Sequence, residues 1–326
     1  MTGWLVTGAG GMLGRDLVDV LGRRGEDVTG LRRADLDVTD ESAVRALILR
    51  ARPAVVVNCA AWTAVDDAEA HEDEALLVNG RGAENVAAAC AASRSQLVHV
   101  STDYVFGGDG LAPYAEYDRT APRTAYGRTK LAGEQAVLGL LPETGYVVRT
   151  AWLYGAHGPN FVRAMTGLER RQQFVDVVAD QRGQPTWAVD VADQIVALAR
   201  VAPRAGVYHA TSSGEATWHE LAVEVFRLLG ADPARVRATT SAAFPRPAPR
   251  PAYSVLGHDR IAAAGVEPIG DWRTALSRAW PVFAAEGSLT GSEGSRAAAE
   301  GSRAAAEGSR AAQSRGVGQA VGVVRE

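Results

Sequence analysis

The chain has 326 residues, 47% of them hydrophobic, enough to bury one large core or a large and a small one. Its 34 basic and 38 acidic residues give a net charge of -4 with both signs scattered, so no basic block points to nucleic acid or an anionic membrane surface. Cys59 and Cys90 lack metal-ligand spacing and make no disulfide framework, and no stretch of about 18 apolar residues offers a membrane span. With no charged leader before the first strand, no signal peptide is expected, and the reading is a cytoplasmic protein.

In chain order, strands are expected at Trp4–Thr7, Val28–Leu31, Ala54–Cys59, Leu97–Ser101 and Tyr146–Arg149. Helices are expected between them at Leu13–Arg24, Ser42–Arg50, Ala75–Ala92 and Tyr126–Leu140. Continuous apolar strands separated by helices predict a parallel sheet covered on both faces, a doubly wound α/β fold of Rossmann type over residues 1–150. From Ala151 the pattern is mixed and richer in Pro, Trp and Arg. Residues 151–285 are therefore expected to form mainly a smaller, mixed α/β substrate domain, with some segments returning to the first. Thr217 and Glu220 make a capping-box pattern ahead of Leu221–Leu229, with Gly230 as the stop. In the tail over 286–326, Glu-Gly-Ser-Arg-Ala-Ala recurs from Glu293, Glu300 and Glu307. The heptad period invites a coiled coil. Each repeat offers only Ala as an apolar residue and carries a Gly, which costs about 1 kcal/mol per helix position, so disorder is expected instead.

The turn after the first strand, Thr7-Gly8-Ala9-Gly10-Gly11-Met12-Leu13-Gly14, opens a helix. Gly8 allows the tight turn, Gly11 close approach of the backbone to a pyrophosphate, and Gly14 close packing of helix on sheet. Met12 and Leu13 stand at the mouth of the helix, whose free N–H groups and dipole favour phosphate. The second strand ends in Leu31-Arg32-Arg33, with no acid at its tip. Arg32 there suits the 2′-phosphate of NADP, though both arginines also read as solvated turn residues. Asp37 and Val38 are placed along the adenine. NADPH is the expected cofactor, with NADH left open.

Tyr126 and Lys130 are four residues apart, one helical turn, and share a face. A neighbouring ammonium stabilises a phenolate, so such a Tyr can pass its proton to a carbonyl oxygen while hydride arrives at carbon. Ser101-Thr102-Asp103-Tyr104 closes the fourth strand, where a hydroxyl points into the ligand crevice. Thr102 can donate to the same carbonyl oxygen.

With these residues the chain resembles an extended short-chain dehydrogenase/reductase, and within that class the dTDP-4-dehydrorhamnose reductase family. The resemblance is carried by segments 57–66, 101–106, 126–134, 149–155, 180–186 and 250–254 and runs from about Trp4 to Phe283. It implies Thr102, Tyr126 and Lys130 as the catalytic set, and Asp103, Tyr104 and Trp152 facing the sugar. It places Ala60, Ala61, Thr63 and Asn79 along the cofactor, with Asn160 and Arg250 on the nucleotide diphosphate, where Arg suits phosphate oxygens. Trp152 also reads as a core aromatic and Asp103 as a strand-end cap. Some members use acidic residues for a metal-bridged dimer. In Thr186-Trp187-Ala188-Val189-Asp190, Val189 stands where an acid is expected, so no metal is predicted, and a homodimer is left open. His99, in an apolar strand, reads as a satisfied core residue rather than a ligand.

The implied activity is NADPH-dependent reduction of the C4 ketone of dTDP-4-dehydro-L-rhamnose. One alternative keeps the chemistry on another dTDP-sugar, such as a dihydrostreptose type. Another is an NADP-binding regulatory subunit without turnover, against which Asp103 and Trp152 weigh. The expected partner is a dTDP-sugar, with neither nucleic acid nor membrane.

Overall fold

Apolar strands of alternating facing build the centre of the protein, seen here in a computed structural model that describes residues 3–284. The repeat tail lies outside the described residues. In chain order come β1 (Trp4–Thr7), β2 (Val28–Leu31), β3 (Val55–Asn58), β4 (Gln96–Thr102) and β5 (Gly145–Thr150). The short strands β6 (Leu153–Tyr154), β7 (Val175–Val178), β8 (Arg182–Gly183) and β9 (Thr186–Trp187) follow. After them come β10 (Gly206–His209), β11 (Ala216–Thr217) and β12 (Val236–Thr239). Six of these form one sheet in the order β10-β5-β4-β3-β1-β2, and every pair is parallel. The order reverses between β1 and β3, which places the ligand crevice at their carboxyl ends.

Residues of alternate parity enter two different cores, as the period of two in a strand requires. Trp4, Val6, Val57, Val98 and Val148 pack under α1 (Met12–Arg23) and the helix Ala188–Val201. Leu5, Val56, Leu97 and Val147 pack on the other face with α2 (Glu41–Ala51) and the helix Gly82–Ser93. A third core joins the helices Phe161–Glu169 and Trp218–Leu228 to β7, β12 and a helix over 272–284. The helix Ala188–Val201 with Tyr208 and Ala210 belongs to the first core although it follows residue 151 in sequence.

Two helical readings are sharpened. Thr217 accepts from the Glu220 backbone while the Glu220 side chain accepts from the Thr217 N–H, a complete capping box. The single helix expected over Ala75–Ala92 is instead Glu72–Leu76, a π-turn at Leu77–Arg81 and Gly82–Ser93. The π-turn adds a residue to one turn, a feature common at functional sites, and it carries Asn79.

Candidate active site

The glycine turn is shaped by contacts that no side chain would survive. Gly8 has φ +68°, and a Cβ there would lie 2.5 Å from the Ala60 backbone nitrogen. A Cβ on Gly14 would strike the Gly8 carbonyl. Gly11 caps α1 without any side-chain hydrogen bond, and the first turn holds no acid. The helix thus begins with backbone donors that a phosphate can take. Leu13 is buried in the core, so it offers only its backbone to a ligand. Met12 is half-buried and Thr63 exposed, while Ala60 and Ala61 flank the turn from the end of β3.

At the tip of β2 the structure gives Arg32 a partner that sequence spacing did not reveal. Its Nε lies 3.1 Å from Asp35, which also accepts from the Arg32 backbone. A Cβ on Gly10 would meet the Arg32 stem at 3.4 Å, so the stem runs beside the turn. Asp37 accepts from the backbone and hydroxyl of Thr39, and Val38 is buried beneath it.

The proposed catalytic residues meet where β4 ends against α6 (Ala125–Leu140). Thr124 caps α6 by accepting from the Gly127 N–H, and Gly127 lets the first turn close on the Tyr104 backbone. Thr102 donates to Asp103 at 3.0 Å and accepts from the Tyr104 N–H. The rings of Tyr104 and Tyr126 meet edge to face at 5.6 Å. Lys130 is buried and donates to the Val100 carbonyl at 2.7 Å, two residues before Thr102. Burial pulls its ammonium down to about 8. Lys130 is also the only lysine in the chain, a signal readable from the composition.

Three residues implied by the resemblance have partners within the protein. Asn79 accepts from the Trp62 N–H and donates to the Trp62 carbonyl and to Thr129, so it clamps the loop after β3 to α6. Asn160 caps its helix through Arg163 and donates to the Gly155 carbonyl, and it is 4% exposed. Its side chain is thereby spent on the backbone around it. Arg250 forms a two-pronged pair with Asp66 at 2.8 and 2.9 Å. Trp152 is half-buried at φ +48°, stacked 3.6 Å from Trp218, a neighbour no sequence spacing indicated.

Among the described residues, Asp16, Asp19 and His157 bring one potential ligand atom each within 4.8 Å of one another. Burial raises Asp16 to about 6, opposed by nearby His157. Cys59 and Cys90 are free thiols. No described helix is long and apolar enough to cross a membrane.

The RmlD substrate binding domain family matches residues 1–284. A dTDP-4-dehydrorhamnose reductase of Streptomyces griseus is 59% identical over 283 residues, 85% of this chain and 93% of that protein. A dTDP-4-keto-6-deoxy-D-glucose reductase of Streptomyces niveus is 58% identical over 285 residues, 87% of this chain and 99% of its own. The solved dTDP-4-dehydrorhamnose reductase of Bacillus anthracis str. Ames, in complex with NADP, gives a TM-score of 0.82 at 36% identity. That match covers 86% of this chain and 98% of the other. Fold and site together define a dinucleotide-dependent oxidoreductase of the extended short-chain class. The chain belongs to the dTDP-4-dehydrorhamnose reductase family.

Proposed function

We propose that the protein reduces the C4 ketone of dTDP-4-dehydro-L-rhamnose with NADPH, giving dTDP-L-rhamnose. The observation that carries this reading is the buried Lys130, fixed below the Thr102 strand end and one turn from Tyr126. The uncapped N-terminus of α1 and the bare glycine turn fit a pyrophosphate, and Arg32 beside Gly10 fits a 2′-phosphate. When bound, NADPH supplies hydride to the ketone carbon. Tyr126 gives its proton to the ketone oxygen, and Thr102, turning its one hydroxyl proton away from Asp103, donates a second hydrogen bond to that oxygen. The Lys130 charge stabilises the phenolate that Tyr126 becomes. Asp103, Tyr104 and Trp152 surround the sugar, and Arg250 is close enough to the surface to reach a phosphate by exchanging its pair with Asp66.

We place the enzyme in the cytoplasm, consistent with two free thiols. Sedimentation of the purified chain decides between a monomer and a homodimer. Adding the 4-keto sugar to enzyme and NADPH should consume absorbance at the nicotinamide band. Tyr126→Phe should lower kcat by about 10²–10⁴ and leave NADPH affinity within a few-fold. No cofactor oxidation, or a variant keeping more than about a tenth of the rate, overturns the assignment.

A further inference from the structure

His99 is the middle residue of β4, wholly buried, and lies between Asn58 at the end of β3 and Lys130. Its partners fix its proton. The Asn58 Oδ1 accepts from Thr7 at 2.6 Å and from the Ala60 N–H at 3.2 Å. A backbone N–H can only donate, so the Asn58 amide cannot be turned the other way. Its Nδ2 therefore faces His99 Nδ1, at 3.1 Å, and donates to it. A neutral imidazole that accepts at Nδ1 carries its one proton on Nε2. Burial holds His99 well below the usual histidine range, so the ring is neutral. Nε2 lies 3.4 Å from Lys130 Nζ.

An ammonium has three donors and no acceptor, whereas a free amine has a lone pair. An Nε2–H turned toward Nζ thus opposes the charged form and can donate to the uncharged one. The bond from Nζ to the Val100 carbonyl is open to both forms. We propose that His99 is a positioning residue for Lys130: locked by Asn58 with its proton on Nε2, it turns an N–H toward Nζ and favours the uncharged amine.

The other groups around Nζ do not reverse this. The Glu134 carboxylate, one turn along α6, favours the ammonium, but it is paired with Arg149 at 2.7 and 2.9 Å and with Ser101, and burial outweighs it. Cys59, from the end of β3, is pushed up to about 12 by burial and stays a neutral thiol. Tyr126 stands one turn earlier on the same helix. The lysine can thus lose and regain its proton near neutral pH, where the chain's arginines cannot. This gives a physical reason for a lone lysine among 34 basic side chains.

The functional meaning rests on the ketone-reduction reading, but the first measurements do not need turnover. Feeding lysine labelled with carbon-13 at Cε gives one side-chain resonance, because there is one lysine. Its titration midpoint is expected near 8. Nitrogen-15 shifts of His99 in the wild type should show an accepting Nδ1 and a protonated Nε2. Asn58→Asp lets a carboxylate accept from Nδ1–H, moving the ring proton and leaving Nε2 to accept from the ammonium. His99→Leu removes the N–H without adding charge. Both should raise the lysine midpoint by about one unit, and the alkaline limb of kcat should move with it. A wild-type His99 protonated on Nδ1 overturns the proposal. So does a midpoint unmoved in His99→Leu, whatever Asn58→Asp does. A confirmed tautomer and midpoint shift in an enzyme that does not reduce the sugar would sink the functional reading alone.

Discussion

Arg32 illustrates how far a residue type reaches without its neighbours. The absence of an acid at the end of β2 was legible and points to the extra phosphate of NADP. Asp35, three residues on, was not assigned, because sequence spacing cannot say whether a turn folds back on itself. Both side chains are solvent-exposed, so their pair is readily exchanged for a phosphate contact. Arg32→Ala should raise KM for NADPH about tenfold and leave NADH within about two-fold, since only the 2′-phosphate contact is lost. Equal losses with both cofactors, in steady-state kinetics, would make Arg32 a structural turn residue. Trp152 and Arg250 follow the same pattern. Their chemistry could be read from type and motif, but Trp218 and Asp66, 66 and 184 positions away, could not.

At the scale of elements, strands and helix starts were readable because they rest on local period and capping chemistry. β1 and β2 begin and end where the short apolar runs placed them, and the Thr217–Glu220 box forms as written. The π-turn at Leu77–Arg81 was hidden, because an inserted residue leaves apolar spacing nearly unchanged while shifting which side chains face inward. The glycines of α1 separate function from mere composition. Gly14→Ala should cost about 1–3 kcal/mol, since its Cβ would meet the Gly8 carbonyl and lie 2.9 Å from Ala9 Cα, both backbone. It should also weaken NADPH binding by displacing the turn. Gly22→Ala, in the same helix with open space around it, should stabilise by about 0.5–1 kcal/mol. Thermal melts of both variants, with a cofactor titration, check the contrast; equal effects would mean the turn has room to move.

For the whole molecule, the parallel sheet followed from the alternation of strands and helices, but its neighbours from later sequence did not. β10 pairs with β5 from about 60 positions earlier, and the helix Ala188–Val201 packs on α1 from about 175 positions earlier, which no local pattern encodes. The same global stability carries the cost of the site. Lys130 is 2% exposed, and burial moves its folded-state value from 10.5 to about 8. Below pH 8 folded and unfolded chains both hold the proton, and the fold bears the full penalty of the buried charge. Between 8 and 10.5 only the unfolded chain holds it, so the penalty fades as pH rises, and above 10.5 it is gone. The penalty is about 3 kcal/mol by the size of that shift. Lys130→Met keeps the length and apolar stem while removing the charge. It also forfeits the bond to the Val100 carbonyl, worth about 1 kcal/mol. The variant should therefore be inactive yet more stable than wild type by about 2 kcal/mol at pH 7, with the advantage vanishing toward pH 10.5. Urea unfolding at pH 7 and pH 10 measures it. A variant less stable at both pH values would show that Lys130 holds the fold together rather than straining it.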